Sequence, residues 1–196
     1  MAPLPPHLRR PLTLRFQQAL RTIGARTTPQ LARAWSSLDS YREPDIAIFA
    51  EQTAPALNAA KFAAVRQAAG YYTLTAGVRA IGVKAATIAV EPDTRAPFIA
   101  TWLALKNGDP IETAVEHGAS RLDALSTDFI VSSARQTGDA VIEKSGLKII
   151  GWERIPDDDA CPWCEEVAPG FYHSAESADF GHSNCGCSAE PLYISD

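Results

Sequence analysis

All four cysteines of this chain fall between residues 161 and 187, together with two of its four histidines. Cys161 and Cys164 form a C-x2-C, and His182, Cys185 and Cys187 follow further on as H-x2-C-x-C. Thiolate sulfur and imidazole nitrogen suit zinc, which takes four ligands in a tetrahedron. A C-x2-C on a tight turn can aim two sulfurs at one ion, and a second pair from a remote segment closes the shell. Five candidates compete for four places. The preferred set is Cys161, Cys164, His182 and Cys187, with Cys185 as the first substitute, and His173 is set aside because it sits mid-loop. A shell filled by protein has no open position for water, so the ion would be structural Zn2+. Such an ion adds to folding free energy, on the order of 10 kcal/mol in small zinc modules. Reduced thiols and disulfides are the alternatives.

Other chemistry-bearing residues are less organised. The run Asp157-Asp158-Asp159 reads as a turn ahead of the cysteine motif, because adjacent residues do not converge on one cation. The chain has no G-x-S-x-G, phosphate-binding loop or H-E-x-x-H. His117 falls on an expected helix and His7 near the terminus. The expectation is a protein that is not an enzyme.

Charge is unevenly placed. The net charge is −5, yet residues 1–38 hold six arginines and no acid. Residues 151–196 hold ten acids and a single base, Arg154. A basic head and an acidic tail suggest different neighbours. Arg9, Arg10, Arg15 and Arg21 are the candidates for contact with a partner or with DNA. No base-reading motif accompanies them, so contact with double-stranded DNA would be sequence-neutral. The negative total argues against free-standing DNA binding.

These residues need a scaffold. Helical signals run over residues 12–145, after a proline-rich stretch at 1–11 that reads as a flexible arm. Leu12, Phe16, Leu20 and Ile23 share one helical face, and Thr28-Pro29 reads as a fresh helix start. An alanine-rich helix follows Pro44, with a kink or break expected at Pro55. A short helix begins near Pro97, and two more are expected between 110 and 145. Residues 146–196 form a β-rich unit in which strands at 147–155 and 190–194 flank the cysteine segment. The predicted class is α+β, mainly α: a helical bundle or hairpin with a small C-terminal metal-knuckle module. No apolar run is long enough to span a bilayer, and the N-terminus lacks the apolar core of a secretory signal. Folding in a cytosol, with no membrane partner, is the expectation.

The stretches GWERIPDDDACPWC and HSNCGCSAEP resemble the C-terminal signature of the phage minor head proteins, the head-morphogenesis family related to the F protein of phage Mu. That signature combines C-P-x-C, a variable loop, an H-x-N-C-x-C or H-x-H-C-x-C, and a proline soon after. The matching stretch, Gly151 to Pro191, covers about a fifth of the chain. The resemblance implies a structural minor capsid protein of a tailed phage, lying inside the head near the portal vertex after assembly in the host cytoplasm. Its implied partners are the portal protein and the major capsid protein, with packaged DNA beside it during packaging or ejection. A zinc-ribbon-like adaptor with no capsid role is the alternative.

Overall fold

A computed structural model describes residues 3–79, 81–168, 172–173 and 185–194. Three long helices form the body: α1 (Pro6–Ser36), α2 (Glu43–Thr75) and α5 (Arg121–Ser145). Two shorter ones, α3 (Ala96–Lys106) and α4 (Ile111–Ala119), stand between α2 and α5 in the chain. Strand β1 (Ile149–Ile155), helix α6 (Pro162–Val167) and strands β2 (Tyr172–His173) and β3 (Ser188–Tyr193) complete it. The sheet runs β2-β1-β3, with both pairings antiparallel. The molecule is therefore α+β and mainly α. Among the described residues, no helix is long and apolar enough to cross a membrane.

Helices α1 and α2 run antiparallel. Phe16 stacks on Tyr71 at 4.4 Å near one end, and Trp35 meets Phe49 edge-on at 5.7 Å near the other. Two apolar cores result. One gathers Leu31, Trp35, Phe49, Phe98, Leu122 and Phe129, all buried, at the α3–α4 end. The other joins Phe16, Leu20, Tyr72, Ile130 and Val141 to Trp152 of β1 and Ala189 of β3. The small sheet thus shares a core with the helices. Helix α5 ends where Gly146 takes φ +69°, the left-handed conformation that glycine adopts without a Cβ penalty.

Three local expectations give way to packing. Residues 1–11 are not a mobile arm throughout, because α1 starts at Pro6 and Leu4 N–H donates to the Thr75 carbonyl. Pro29 does not restart a helix, and Pro55 does not break one: α1 runs through Pro11 and Pro29, and α2 through Pro55. An interior proline costs about 3 kcal/mol, but Leu20, Leu31 and Trp35, on both sides of Pro29, are buried and hold the axis. Pro29 and Pro55 themselves lie on exposed positions. The predicted strands are found within two residues of their expected bounds, and β2 adds a third that the sequence did not announce.

Candidate metal centre

The C-terminal unit is seated on α1 by one stripe of side chains at strict i, i+4 spacing. Arg9 donates to the Pro191 carbonyl at 3.1 Å and faces Glu190 at 3.7 Å. Thr13 hydrogen-bonds the Glu190 carboxylate and Tyr71. Gln17 donates to the Ile155 carbonyl and to Ser188. Arg21 clamps the turn ahead of the cysteines, reaching Asp157 at 3.0 Å, Asp158 at 3.4 Å and Asp159 at 3.5 Å. Burial alone would depress the Arg21 pKa, but the hydrogen bond to Asp157 and the charges of the three aspartates raise it. The aspartate run is a turn, with Ala160 N–H closing onto the Asp157 carbonyl.

That turn feeds α6, where Cys161 is the N-cap and Cys164 stands three residues on, so both belong to one helical turn. The second half of the motif lies just before β3. The Sγ atoms of Cys164, Cys185 and Cys187 all lie within 4.8 Å of one another, and the three residues are buried. Cys164 and Cys185 are 3.8 Å apart and not disulfide-bonded. Tetrahedral sulfurs at ~2.3 Å from a zinc ion would sit ~3.8 Å from each other, so the spacing fits a shared ion. Cys161 packs against the group and is half-exposed. Gly186, between the last two cysteines, leaves room that Asp157 Oδ2 fills; a Cβ there would collide with it.

Two arginines complete the surroundings. Arg154, on β1, directs Nη1 to Cys164 Sγ at 3.3 Å and Cys185 Sγ at 3.6 Å. Arg135, on α5, donates to Cys185 Sγ at 3.7 Å and to the Cys187 carbonyl at 3.0 Å. Both are buried, and the Arg154 guanidinium also lies 4.9 Å from the ring centre of Trp163. The trio favours a thiolate at Cys185. The hydrogen bond from the Cys187 thiol lowers the Cys185 pKa; burial opposes this, while the Cys187 backbone N–H and Arg135 reinforce it. Cys187 moves upward, because its thiol is the donor in that bond and is buried. Cys164 rises through burial and the charge at Cys185. A desolvated sulfur cluster facing two guanidiniums is an environment made for anionic sulfur, the form that ligates metal. A cleft of about 560 Å³ between α1 and α5 is lined by all four cysteines together with Arg21 and Asp157.

The structure thus brings together Cys164, Cys185 and Cys187, with Cys161 beside them, and places Cys185 inside the group rather than in reserve. His182 lies outside the described residues. Of the arginines expected to face a partner, Arg9 is buried and bonded within the chain, and Arg21 is ion-paired to the aspartate turn. Arg10 and Arg15 remain exposed. Composition marked residues 1–38 as basic but did not show that an i, i+4 stripe turns inward. Arg135 and Arg154 were missed. Arg154 carried a signal, since it stands two residues after Trp152 and strand alternation puts both on one face.

The comparisons with known proteins come down to one family. The model of the VG15 protein family matches residues 9–196, nearly the whole chain. No curated protein and no solved structure matches.

Proposed function

We propose a structural role in the phage head, from the premise that the chain belongs to the VG15 protein family, a viral family that points to a phage protein. In this reading the protein is a minor head component that sits inside the capsid near the portal vertex. It assembles in the host cytoplasm with the portal and major capsid proteins, and it assists assembly or the passage of DNA. The observation that carries the reading is the buried three-sulfur group, which ties the C-terminal signature into the helical body. Its sulfurs are sequestered, and two arginines hydrogen-bond those of Cys164 and Cys185, an arrangement suited to holding chain segments together rather than to turnover. The ion we assign to it is zinc. Cys164, Cys185 and Cys187 would hold three corners, with Cys161 or His182 at the fourth, and the ion would supply cross-linking of segments with little apolar surface of their own.

Arg10 and Arg15 are the members of the basic set left available for an acidic portal surface or for packaged DNA. Mass spectrometry of purified virions and procapsids tests the assignment. The protein should be present in both at low copy and should co-purify with the portal protein of the same phage. Absence from both particles would remove the head assignment.

A further inference from the structure

Among the described residues, the α1–α2 pair carries a groove lined by these two helices alone. Two pockets lie end to end along it, of about 210 Å³ and about 480 Å³, and Arg66 and Gln67 line both. Along α1 the lining extends from Leu12 to Arg26. At 1.5 Å per residue this is roughly 21 Å, about four helical turns. Its apolar anchors are Phe62 and Leu74, 57% and 53% exposed. Large apolar side chains left in water along a trough are a feature of interaction sites.

Among the described residues, the charged side chains that line this trough are all arginines. Arg15, Arg26 and Arg66 line it and are exposed, and the Arg66 guanidinium lies 5.9 Å from the Phe62 ring centre. There is no Asp or Glu in residues 1–38, nor in 52–90. Gly70 supplies a separate indication. It is an exposed residue inside α2, where glycine is disfavoured relative to alanine, and a Cβ there would meet nothing within 4 Å. Nothing among the described residues requires a glycine at that point, whereas a second backbone approaching closely would.

We propose that this groove docks one amphipathic, acidic α-helix of another protein. Its apolar face would cover Phe62 and Leu74, its backbone would pass close over Gly70, and its carboxylates would meet Arg15, Arg26 and Arg66. Duplex DNA would satisfy the arginines, but it has no apolar face for Phe62 and Leu74. A helix laid in a groove uses anchors spaced along several turns, and the length and shape here match that mode.

A benzophenone side chain in place of Gln67, in the full-length protein during phage growth, tests this directly. The expected product is a cross-link to a single peptide segment that is helical, amphipathic and net acidic. The Arg15→Glu/Arg66→Glu variant should lower the yield about tenfold or more, as the loss of two charge pairs would. Phe62→Ala should also lower it, and both variants should melt like the parent because the substituted side chains are exposed. Cross-linking to DNA would overturn the proposal. So would a segment lacking acidic residues, no cross-link at all, or a yield unchanged by the charge reversal. An acidic helix from a protein found in neither virions nor procapsids would uphold the groove while counting against the head assignment, so the two failures are distinguishable.

Discussion

Replacing Arg154 by methionine asks whether the sulfur cluster is anionic. The side chain is 2% exposed and donates to two sulfurs, Cys164 and Cys185, while lying against Trp163. If those sulfurs are thiolates on an ion, each charge-assisted bond contributes ~1.5 kcal/mol or more. The contact with the half-exposed Trp163 ring adds ~0.5–1 kcal/mol. Methionine recovers part of the packing, so Arg154→Met should destabilise the zinc-loaded protein by about 3 kcal/mol, or roughly 6–12 °C in Tm for a chain of this size. By linkage the same substitution should weaken zinc binding by about 10²-fold. If the sulfurs are protonated thiols, a buried guanidinium beside them is a desolvation cost, and an apolar replacement of similar volume should be neutral or stabilising. The sign of the effect therefore decides. Denaturant titrations with excess zinc, together with competition against a calibrated chelator, would measure both quantities. An Arg154→Met protein that keeps its zinc affinity and is no less stable would refute the anionic cluster.

Purified protein should hold about one zinc per chain by elemental analysis; Cys164→Ser and Cys185→Ser should each abolish it, and chelation should open residues 156–194 to protease. Gly118→Ala should destabilise by about 2–4 kcal/mol, as overpacking into backbone does, because its Cβ would stand 2.8 Å from the Pro97 carbonyl oxygen and overlap Thr101 and Trp35; an unchanged melting curve would refute that packing. Asp45→Asn tests the turn between α1 and α2, where the carboxylate accepts bonds from Ser40 N–H, Ser40 hydroxyl and Tyr41 N–H. Burial raises the Asp45 pKa, but those bonds outweigh it and leave it lowered, so its stabilisation is present above the unfolded carboxylate pKa and is lost as pH falls through the folded one. The variant should be about 1 kcal/mol less stable at pH 7, and the gap should close as acid protonates the carboxylate, below the ordinary aspartate range; a gap that persists in acid would show that the charge is not responsible.

The helical body was legible because its signals are local. Apolar spacing at Phe16 and Leu20 named core residues, and the expected helix start near 110 and change of character at 146 coincide with real helix ends. Prolines misled at positions 11, 29 and 55, since a proline's local cost is outweighed when apolar residues on both sides bury in one core. The cysteines were legible as a group because thiols are rare and were clustered. The arginines that bond them were not, because Arg135 and Arg154 come from α5 and β1 and meet the sulfurs only after folding. The inward turn of Arg9 and Arg21 was invisible for the same reason: their partners Glu190 and Asp157 lie more than a hundred residues away.

Strand β3 explains why one ion could steady so much of the chain. Cys187, immediately before it, receives a guanidinium from α5 on its carbonyl. The next residues are each held by a different group: Ser188 by Gln17 of α1, the Ala189 carbonyl by Tyr72 of α2, and Glu190 by Thr13 and Arg9. Every one of these bonds requires β3 to keep its register against β1, and the cysteine just upstream sets where the strand begins. Releasing Cys187 from the cluster would therefore loosen contacts to α1, α2 and α5 together, rather than fray one loop. The opposite side of α1 carries Arg15 and Arg26 on the groove, so the helix that seats the sulfur-bound unit is also the one presented to a partner. A rigid seat on one face keeps the other in a fixed shape, which is what a docking groove four turns long requires if its anchors are to engage a helix without reorganising first.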